Sequence, residues 1–150
     1  MPRGYFGIGI VGAKTETNVG TLLRSAHAFG AAFVFTVGHR YGRRQATDTT
    51  DATRHVPLWQ FETLEELTAA VPLGCEMIGI EIDERSVALP EFKHPERALY
   101  ILGAEDHGLT AEARDRCDAL VQIPGAARCL NVAAAGSIVL YDRVCRAGAS

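Results

Sequence analysis

Residues 32–37 place the strongest constraint on the fold, because all but one of the residues in this run, AFVFTV, are apolar. A strand buried on both faces of a parallel sheet has such a run, whereas a strand with one face in water alternates apolar and polar residues. Further short apolar runs are separated by segments with helical periodicity. This alternation predicts an α/β fold in which a parallel sheet is flanked by helices.

The same patterns predict five parallel strands joined by crossover helices. The strands are expected at residues 5–11, 32–37, 76–82, 98–102 and 120–123, and helices at residues 18–30, 63–71, 110–117 and 130–146. Asn18 is the predicted cap of the first helix, and Gly30 is expected to end it. Residues 39–60 are predicted to form a loop.

The size and composition of the chain favour a single cytoplasmic domain spanning residues 1–150. Hydrophobic residues make up 47% and charged residues 22%, as in soluble globular proteins, and no apolar run could span a bilayer. The N-terminus lacks the apolar segment and small-residue cleavage site of a signal peptide.

The net charge of −3 disfavours a protein that coats nucleic acid non-specifically, since such binding depends on many phosphate contacts. Any RNA site must therefore be local. One basic cluster could supply it: His39, Arg40, Tyr41, Arg43 and Arg44, followed by Arg54 and His55. Composition alone fits a solvated loop equally well.

The cysteines do not predict a metal site, because Cys75, Cys117, Cys129 and Cys145 are too widely spaced for a C-x-x-C pair. We expect them to be reduced. Cys75, Cys117 and Cys145 are interpreted as small buried apolar residues.

Residues 7–12, GIGIVG, match the dinucleotide-binding pattern G-x-G-x-x-G, but their context excludes that function. The pattern requires a preceding strand, a helix that opens on it and an acidic residue about 20 positions later. Only six residues precede Gly7, and the acidic residue is missing. These glycines are instead expected in a strand that another backbone approaches closely.

Three other segments combine polar residues with glycine or small residues. In residues 18–30, Asn18 and Arg24 lie near a predicted helix N-terminus, where phosphate is favoured. In residues 102–109, LGAEDHGL, Glu105 follows a strand end, where ligands of open α/β sheets bind. In residues 129–142, Asn131 begins a helix rich in small residues. Taken singly, each segment also fits a plain structural role: a cap, a turn or a packed core helix.

Together, the three segments resemble the motifs of the SpoU/TrmH family of SPOUT methyltransferases, which methylate ribose 2′-hydroxyls of tRNA or rRNA. The matching pattern is N-x-G-x-x-x-R-x-x-x-x-F-G, then L-G-x-E-x-x-G-L, then I-P followed by L-N-V-A-x-A and an apolar run to Tyr-Asp. It extends from Asn18 to Asp142. The resemblance implies a deep C-terminal trefoil knot, an exception to the rule against knots.

The resemblance also implies a cofactor, S-adenosylmethionine, bound in the knot largely through backbone groups. The matching positions here are Ile80, Gly103, Ile123, Cys129 and Leu130. The family usually has Ser where Cys129 stands, and a thiol is a weaker hydrogen-bond donor than a hydroxyl. Contacts that depend on that side chain are therefore in doubt, whereas backbone contacts would persist.

In the family the chains pair through the knotted region, so the resemblance implies a homodimer in which Arg24 reaches a site built mainly by the other chain. A guanidinium with a pKa above about 12 is a poor base. We therefore expect Arg24 to orient the RNA and to stabilise the developing alkoxide, and the base is left unassigned. Asn18, Glu105 and Asn131 would shape the pocket, and no metal is expected.

The absence of an added RNA-binding domain resembles the minimal family members, which act on tRNA. Arg40, Tyr41, Arg43 and Arg44 would then contact the RNA, with base stacking on the tyrosine. Two alternatives remain open: a SPOUT enzyme that methylates a base, and a non-catalytic RNA-binding dimer that has kept the fold.

Overall fold

A wholly parallel sheet forms the centre of the computed structural model, which describes residues 4–13, 15–38, 55–104, 107–125 and 130–149. Within these residues the sheet has seven strands: β1 (Tyr5–Val11), β2 (Phe33–Val37), β3 (Leu58–Phe61), β4 (Glu76–Ile80), β5 (Val87–Ala88), β6 (Arg97–Leu102) and β7 (Ala119–Gln122). Their order is β3-β2-β1-β6-β4-β7-β5. The α/β class and parallel sheet predicted from the sequence are confirmed.

The predicted count of five strands is wrong, because β3 and β5 were missed. Both are edge strands. All four residues of β3 are only half-buried, so they lack the continuous apolar run of a central strand, and Pro57 directly before them favoured a loop. The two residues of β5 are too few to give a pattern.

In the described part of the chain, four helices cover the two faces of the sheet: α1 (Glu16–Phe29), α2 (Leu64–Ala70), α3 (Ala111–Arg116) and α4 (Val132–Ala149). A short 3-10 helix, Leu89–Glu91, follows β5. Helices α1 and α4 share one core with β1, whereas Leu67 of α2 and Ala113 of α3 lie in the core on the other face. Among the helices of the described residues, none is both long and apolar enough to cross a membrane.

Local signals set most helix ends. Thr63 and Glu66 form a reciprocal capping box at α2, and the Thr110 side chain accepts from the amide of Ala113 at α3. Gly30 ends α1 in the left-handed conformation, with φ of 80°. The prediction that Asn18 caps α1 is wrong: the helix begins at Glu16, its cap is Thr15, and Asn18 lies in the first turn.

The two glycines in β1 make room for aromatic rings. A Cβ at Gly7 would overlap the ring of Phe33, and a Cβ at Gly9 would overlap the ring and carbonyl oxygen of Phe35. The expected close approach of another backbone is confirmed at Gly9 but is wrong at Gly7, where the Phe33 side chain makes the contact. The Phe33 ring also stacks on Trp59, at a centroid distance of 4.1 Å.

A buried chain of hydrogen bonds holds the last turns of α4 against β6. The His94 ring nitrogens lie 2.6 Å from the Tyr100 hydroxyl and 2.7 Å from Asp142 Oδ2. Arg143, only 3% exposed, donates to the Tyr100 hydroxyl and to the carbonyl oxygens of Pro95 and Glu96. We name this set, His94, Tyr100, Asp142 and Arg143, the amino-end network, because it lies near the start of β6.

The amino-end network favours a neutral His94. Its Nε2–H can donate to Asp142 while Nδ1 accepts the Tyr100 hydroxyl proton, so each group is satisfied. Burial lowers the pKa of His94 first of all, and the Arg146 and Arg143 charges lower it further, against an opposing effect of Asp142. Burial raises the pKa of Tyr100 to about 12.

The described cysteines differ in exposure. Cys75 and Cys117 are half-buried, and Cys145 is exposed, so the interpretation of Cys145 as a buried residue is wrong. Cys145 follows Ala134 by eleven residues on α4, so the two side chains lie on the same face of the helix. One exposed stripe runs along this face and consists of Ala134, Ile138, Tyr141 and Cys145.

Candidate active site

The carboxyl ends of β4, β6 and β7 meet at one edge of the sheet. Ile80, the last residue of β4, pairs with Leu102 of β6 and with Val121 of β7. Gly103 directly follows Leu102, and Ile123 lies two residues after Val121. Three of the five expected cofactor positions are therefore brought together at the edge where open α/β sheets bind ligands.

The loop after β6 folds back tightly on itself. The amide of Gly108 donates to the carbonyl oxygen of Ala104 at 3.0 Å, and a Cβ at Gly103 would overlap the backbone of Gly108 and Leu109. Gly108 itself has φ of 65°, which favours glycine. The glycine spacing of the second motif is thus explained by this reversal.

Sequence analysis missed Glu81, which lies at the centre of this edge. Its Oε2 accepts from the amide of Leu109 at 2.6 Å, and its own amide donates to the carbonyl oxygen of Val121 at 2.9 Å. The predicted strand ran to residue 82 and placed Glu81 within it. The strand actually ends at Ile80. An acidic residue at the carboxyl end of a buried strand was the signal that could have revealed it.

Asn18 and Asn131 join the first and third motifs. Asn131 Nδ2 donates to Asn18 Oδ1 at 3.0 Å, across a sequence separation of 113 residues. Asn131 Oδ1 accepts from the amide of Ala134, so the same side chain also caps α4. Asn18 is only 7% exposed, and this bond satisfies a buried amide oxygen.

Helix α4 packs closely against α1 and β6 at Gly136. A Cβ there would lie 2.7 Å from Leu22 Cδ1 and 3.0 Å from Leu102 Cδ1, so a larger residue would have to displace these leucine side chains. The Ser25 and Ser137 hydroxyls lie 2.7 Å apart between α1 and α4. These contacts agree with the plain structural role that the third motif also fits, a packed core helix.

Arg24 is exposed and lies on a different face of α1 from the buried Asn18. Six residues of helix separate their Cα atoms by about 9 Å along the axis and by about 120° around it. Arg24 falls in an exposed stripe with Thr17, Thr21 and Ala28. The structure therefore brings Asn18 together with Asn131, whereas Arg24 lies on a separate, exposed face of α1.

Among the residues that the structure describes, the side chains around this edge offer binding groups rather than a nucleophile. Cys117 packs beside Gly79, and burial together with the Asp118 charge raises its thiol pKa to about 11, which keeps it protonated. Hydrogen bonds from Arg85 lower the pKa of Asp83. Across the described part of the chain, no cluster of three or more His, Cys, Asp or Glu residues could hold a metal ion.

Several expected site residues lie outside the described residues. They are Glu105, Cys129, Arg40, Tyr41, Arg43 and Arg44. Leu130, the remaining expected cofactor position, precedes Asn131 and is 40% exposed.

Comparison with known proteins gives one consistent family. Residues 6–141 match the SpoU rRNA Methylase family. The chain is 31% identical over 134 residues to the tRNA (guanosine(18)-2'-O)-methyltransferase of Mus musculus, covering 84% of this chain and 8% of the mouse protein. It is 30% identical over 138 residues to the 23S rRNA (guanosine-2'-O-)-methyltransferase RlmB of Salmonella typhi, covering 89% of this chain and 57% of that protein.

A solved structure shares the whole fold. The SpoU methyltransferase AviRb from Streptomyces viridochromogenes, in complex with the cofactor AdoMet, superposes with a TM-score of 0.86 at 25% identity. The match covers 100% of this chain and 60% of that one. The chain thus spans less than two thirds of the length of each of these three proteins.

Proposed function

Because this chain belongs to the SpoU rRNA Methylase family, we propose that it catalyses S-adenosylmethionine-dependent methylation of a ribose 2′-hydroxyl in RNA. The observation that carries the proposal is the hydrogen bond between Asn18 and Asn131, at 3.0 Å. It joins the first and third motifs in space, and the second motif begins at the carboxyl end of β6.

The residues at the strand ends fit S-adenosylmethionine. Ile80, Ile123 and Leu130 expose apolar surface for an adenine ring, and the reversal at Gly103 brings backbone close to the same edge. When bound, this cofactor supplies an electrophilic methyl group carried on a sulfonium. The proposed role of Ile80, Gly103, Ile123 and Leu130, with Cys129, is to hold it in one orientation, since methyl transfer to oxygen depends on alignment.

Arg24 is proposed to bind the RNA and to stabilise charge. A guanidinium can contact phosphate and ribose oxygens with several donors at once, and its positive charge stabilises an alkoxide as the hydroxyl loses its proton. Asn18, Asn131 and Glu105 would shape the pocket through hydrogen bonds. The group that takes the proton is left unassigned.

We propose that the protein acts as a homodimer through α1 and α4. Ile138 is 38% and Tyr141 60% exposed on α4, an apolar surface that association would bury. Since α1 packs beside α4, a second chain seated on this stripe would lie next to Arg24. Arg24 of one chain would then reach the site of the other, which accounts for its distance from Asn18.

Two further features of this proposal rest on the family resemblance. The C-terminal segment is proposed to thread through a loop and to form a deep trefoil knot, within one catalytic domain. The preferred substrate is proposed to be tRNA rather than rRNA, with Arg40, Tyr41, Arg43 and Arg44 as its contacts. The two enzyme relatives named above act on one RNA class each.

Nucleoside analysis tests the reaction. RNA treated with the protein and methyl-labelled S-adenosylmethionine is digested to nucleosides, and mass spectrometry locates the label. We expect label on ribose, at least 100-fold less with Arg24→Ala, and more with tRNA than with rRNA. Label on a base would contradict the proposal, and failure to bind S-adenosylmethionine in calorimetry would favour a non-catalytic RNA-binding protein.

A further inference from the structure

Glu81 bonds to two of the strand ends where the cofactor is proposed to bind. We propose that Glu81 is a positioning residue of this site: its carboxylate fixes the loop after β6 against the end of β4, and so sets the shape of the cofactor pocket. This inference rests on the proposed function, and it assigns a role to a residue outside the three motifs.

The carboxylate of Glu81 uses both oxygens to hold backbone. Oε2 accepts from the amide of Leu109 at 2.6 Å, and Oε1 accepts from the amide of the next residue, Ile82, at 3.0 Å. Bonds from amides to a charged acceptor are stronger than those to a neutral one. The bond from the Ile82 amide therefore fixes the orientation of the carboxylate, and in that orientation the other oxygen binds the Leu109 amide.

Contacts around Gly108 extend this effect to the whole reversal. A Cβ at Gly108 would overlap Glu81 Oε2, so the carboxylate occupies the space that any other residue would fill. On its other side, the Gly108 backbone lies where a Cβ of Gly103 would be. The Glu81 carboxylate therefore packs against Gly108, and Gly108 packs against Gly103. Through these two contacts, Glu81 determines how closely Gly108 approaches Gly103.

The backbone of Glu81 ties in two further segments. Its amide donates to the carbonyl oxygen of Val121 in β7, and its carbonyl oxygen accepts from the Ser86 hydroxyl at 2.7 Å. One residue therefore connects the ends of β4, β6 and β7. These ends carry Ile80, Gly103 and Ile123, the proposed cofactor positions.

Two substitutions separate the length of the side chain from its charge. Glu81→Gln keeps the length, but an amide has one acceptor oxygen, so its NH₂ must face either Leu109 N–H or Ile82 N–H. Glu81→Asp keeps the charge but is shorter by one methylene and cannot reach both amides. If Glu81 acts by position, both substitutions must weaken cofactor binding.

Calorimetry with S-adenosylhomocysteine as the probe measures the effect on the folded protein. We expect the Kd to rise about tenfold in Glu81→Gln and Glu81→Asp, which corresponds to the loss of one charge-assisted bond. The control is Glu84→Gln, which removes the same charge from an exposed side chain three residues away, and its Kd should not change. In methyl-transfer assays, KM for S-adenosylmethionine should rise in both Glu81 variants while KM for RNA holds.

Each alternative outcome overturns the inference in a distinct way. An unchanged Kd in Glu81→Gln would mean that the carboxylate does not shape the pocket. A normal Kd in Glu81→Asp alone would mean that charge acts rather than position. Loss of folding in both variants would make Glu81 a purely structural residue. If the unaltered protein does not bind the probe, the proposed function fails, and this inference fails with it.

Discussion

Helix α4 is held at its two ends by different kinds of contact. Near its end, Asp142 and Arg143 bond to His94, Tyr100 and carbonyl groups in a network of buried or half-buried side chains. Near its start, α4 is held by one amide pair, Asn18 with Asn131, and by close packing at Gly136. The side chains of the amino-end network bond mainly to one another and to backbone carbonyl groups. The strand ends that carry the proposed cofactor positions are organised by backbone groups, glycines and the Glu81 carboxylate.

This difference suggests a division of roles along one helix. A buried network of hydrogen bonds among several side chains stabilises one arrangement of the chain and is costly to break. A site built from backbone edges and small residues contributes less to stability and can accept another molecule. Substitutions at the amino-end network should therefore change stability, and substitutions at the strand ends should change binding.

The largest expected effect is that of Arg143→Met. The substitution keeps much of the side-chain volume, but the Pro95 carbonyl oxygen loses the Arg143 donor and the Glu96 carbonyl oxygen keeps only the Tyr5 amide. It also removes a guanidinium that lies 4.5 Å from the centre of the Phe6 ring. We expect the free energy of unfolding to fall by about 2–3 kcal/mol, because buried hydrogen bonds to a charged donor are lost. Urea unfolding measures this change, with the exposed Arg85→Met as its control.

If the division of roles holds, the folded fraction of Arg143→Met should bind S-adenosylhomocysteine with an unchanged Kd. An unfolding free energy equal to that of the unaltered protein, or a raised Kd in the folded fraction, would contradict the division of roles between the two ends of α4.

A smaller effect is expected from Asn131→Asp, which separates the two functions of that residue. Aspartate keeps the oxygen that caps α4, and Asp and Asn are similar caps. It replaces the Nδ2 donor with an oxygen that faces Asn18 Oδ1. We expect a loss of about 1–2 kcal/mol in stability from the lost bond, and at least a tenfold loss of methyl transfer.

The matched control is Asn131→Ala, which removes both the cap and the bond and should unfold more easily than Asn131→Asp. Full activity in Asn131→Asp would show that the Asn18–Asn131 pair is only a structural contact.

The smallest effect concerns pH. Because burial lowers the pKa of His94 in the folded protein, the unfolded chain binds a proton more readily, with a pKa of about 6.5. The contribution of His94 to stability is therefore complete above pH 6.5 and is lost as the pH falls from there through the lower folded pKa. We expect Tm to fall between pH 7.5 and 5.5.

The substitution His94→Gln should lower Tm at pH 7.5, and the further fall of Tm towards pH 5.5 should be smaller than in the unaltered protein. The control is His107→Gln, at an exposed position, and its Tm should equal that of the unaltered protein at each pH. An equally steep fall in His94→Gln would assign the pH dependence to other groups.

The sequence revealed features whose cause is local, and it missed those that depend on distant contacts. The ends of α1 and α2 follow from Gly30, Thr63 and Glu66, which act within one turn. The strand β3 could not be found in this way, because its half-buried residues form a strand only beside β2. Assigning Asn18 as a cap was an error of the same kind, since its partner is 113 residues away.

The candidate site shows the same limit. The motifs identified Gly103 and Asn131 from spacing, but no spacing could indicate that Glu81 accepts from Leu109, 28 residues later in the chain. The separation of Asn18 and Arg24 was predictable, because two residues that are six positions apart on a helix point about 120° away from each other. That fact already required either a second chain or a long reach for Arg24 to act in the same pocket.

Hydrogen exchange with and without S-adenosylhomocysteine tests the division between the two ends of the sheet most directly. We expect the probe to slow exchange of amides at residues 80–82, 103–104, 107–109 and 130–134, while exchange near His94 and in residues 142–146 stays the same. Protection centred on the amino-end network, or no protection at the strand ends despite measurable binding, would contradict this division.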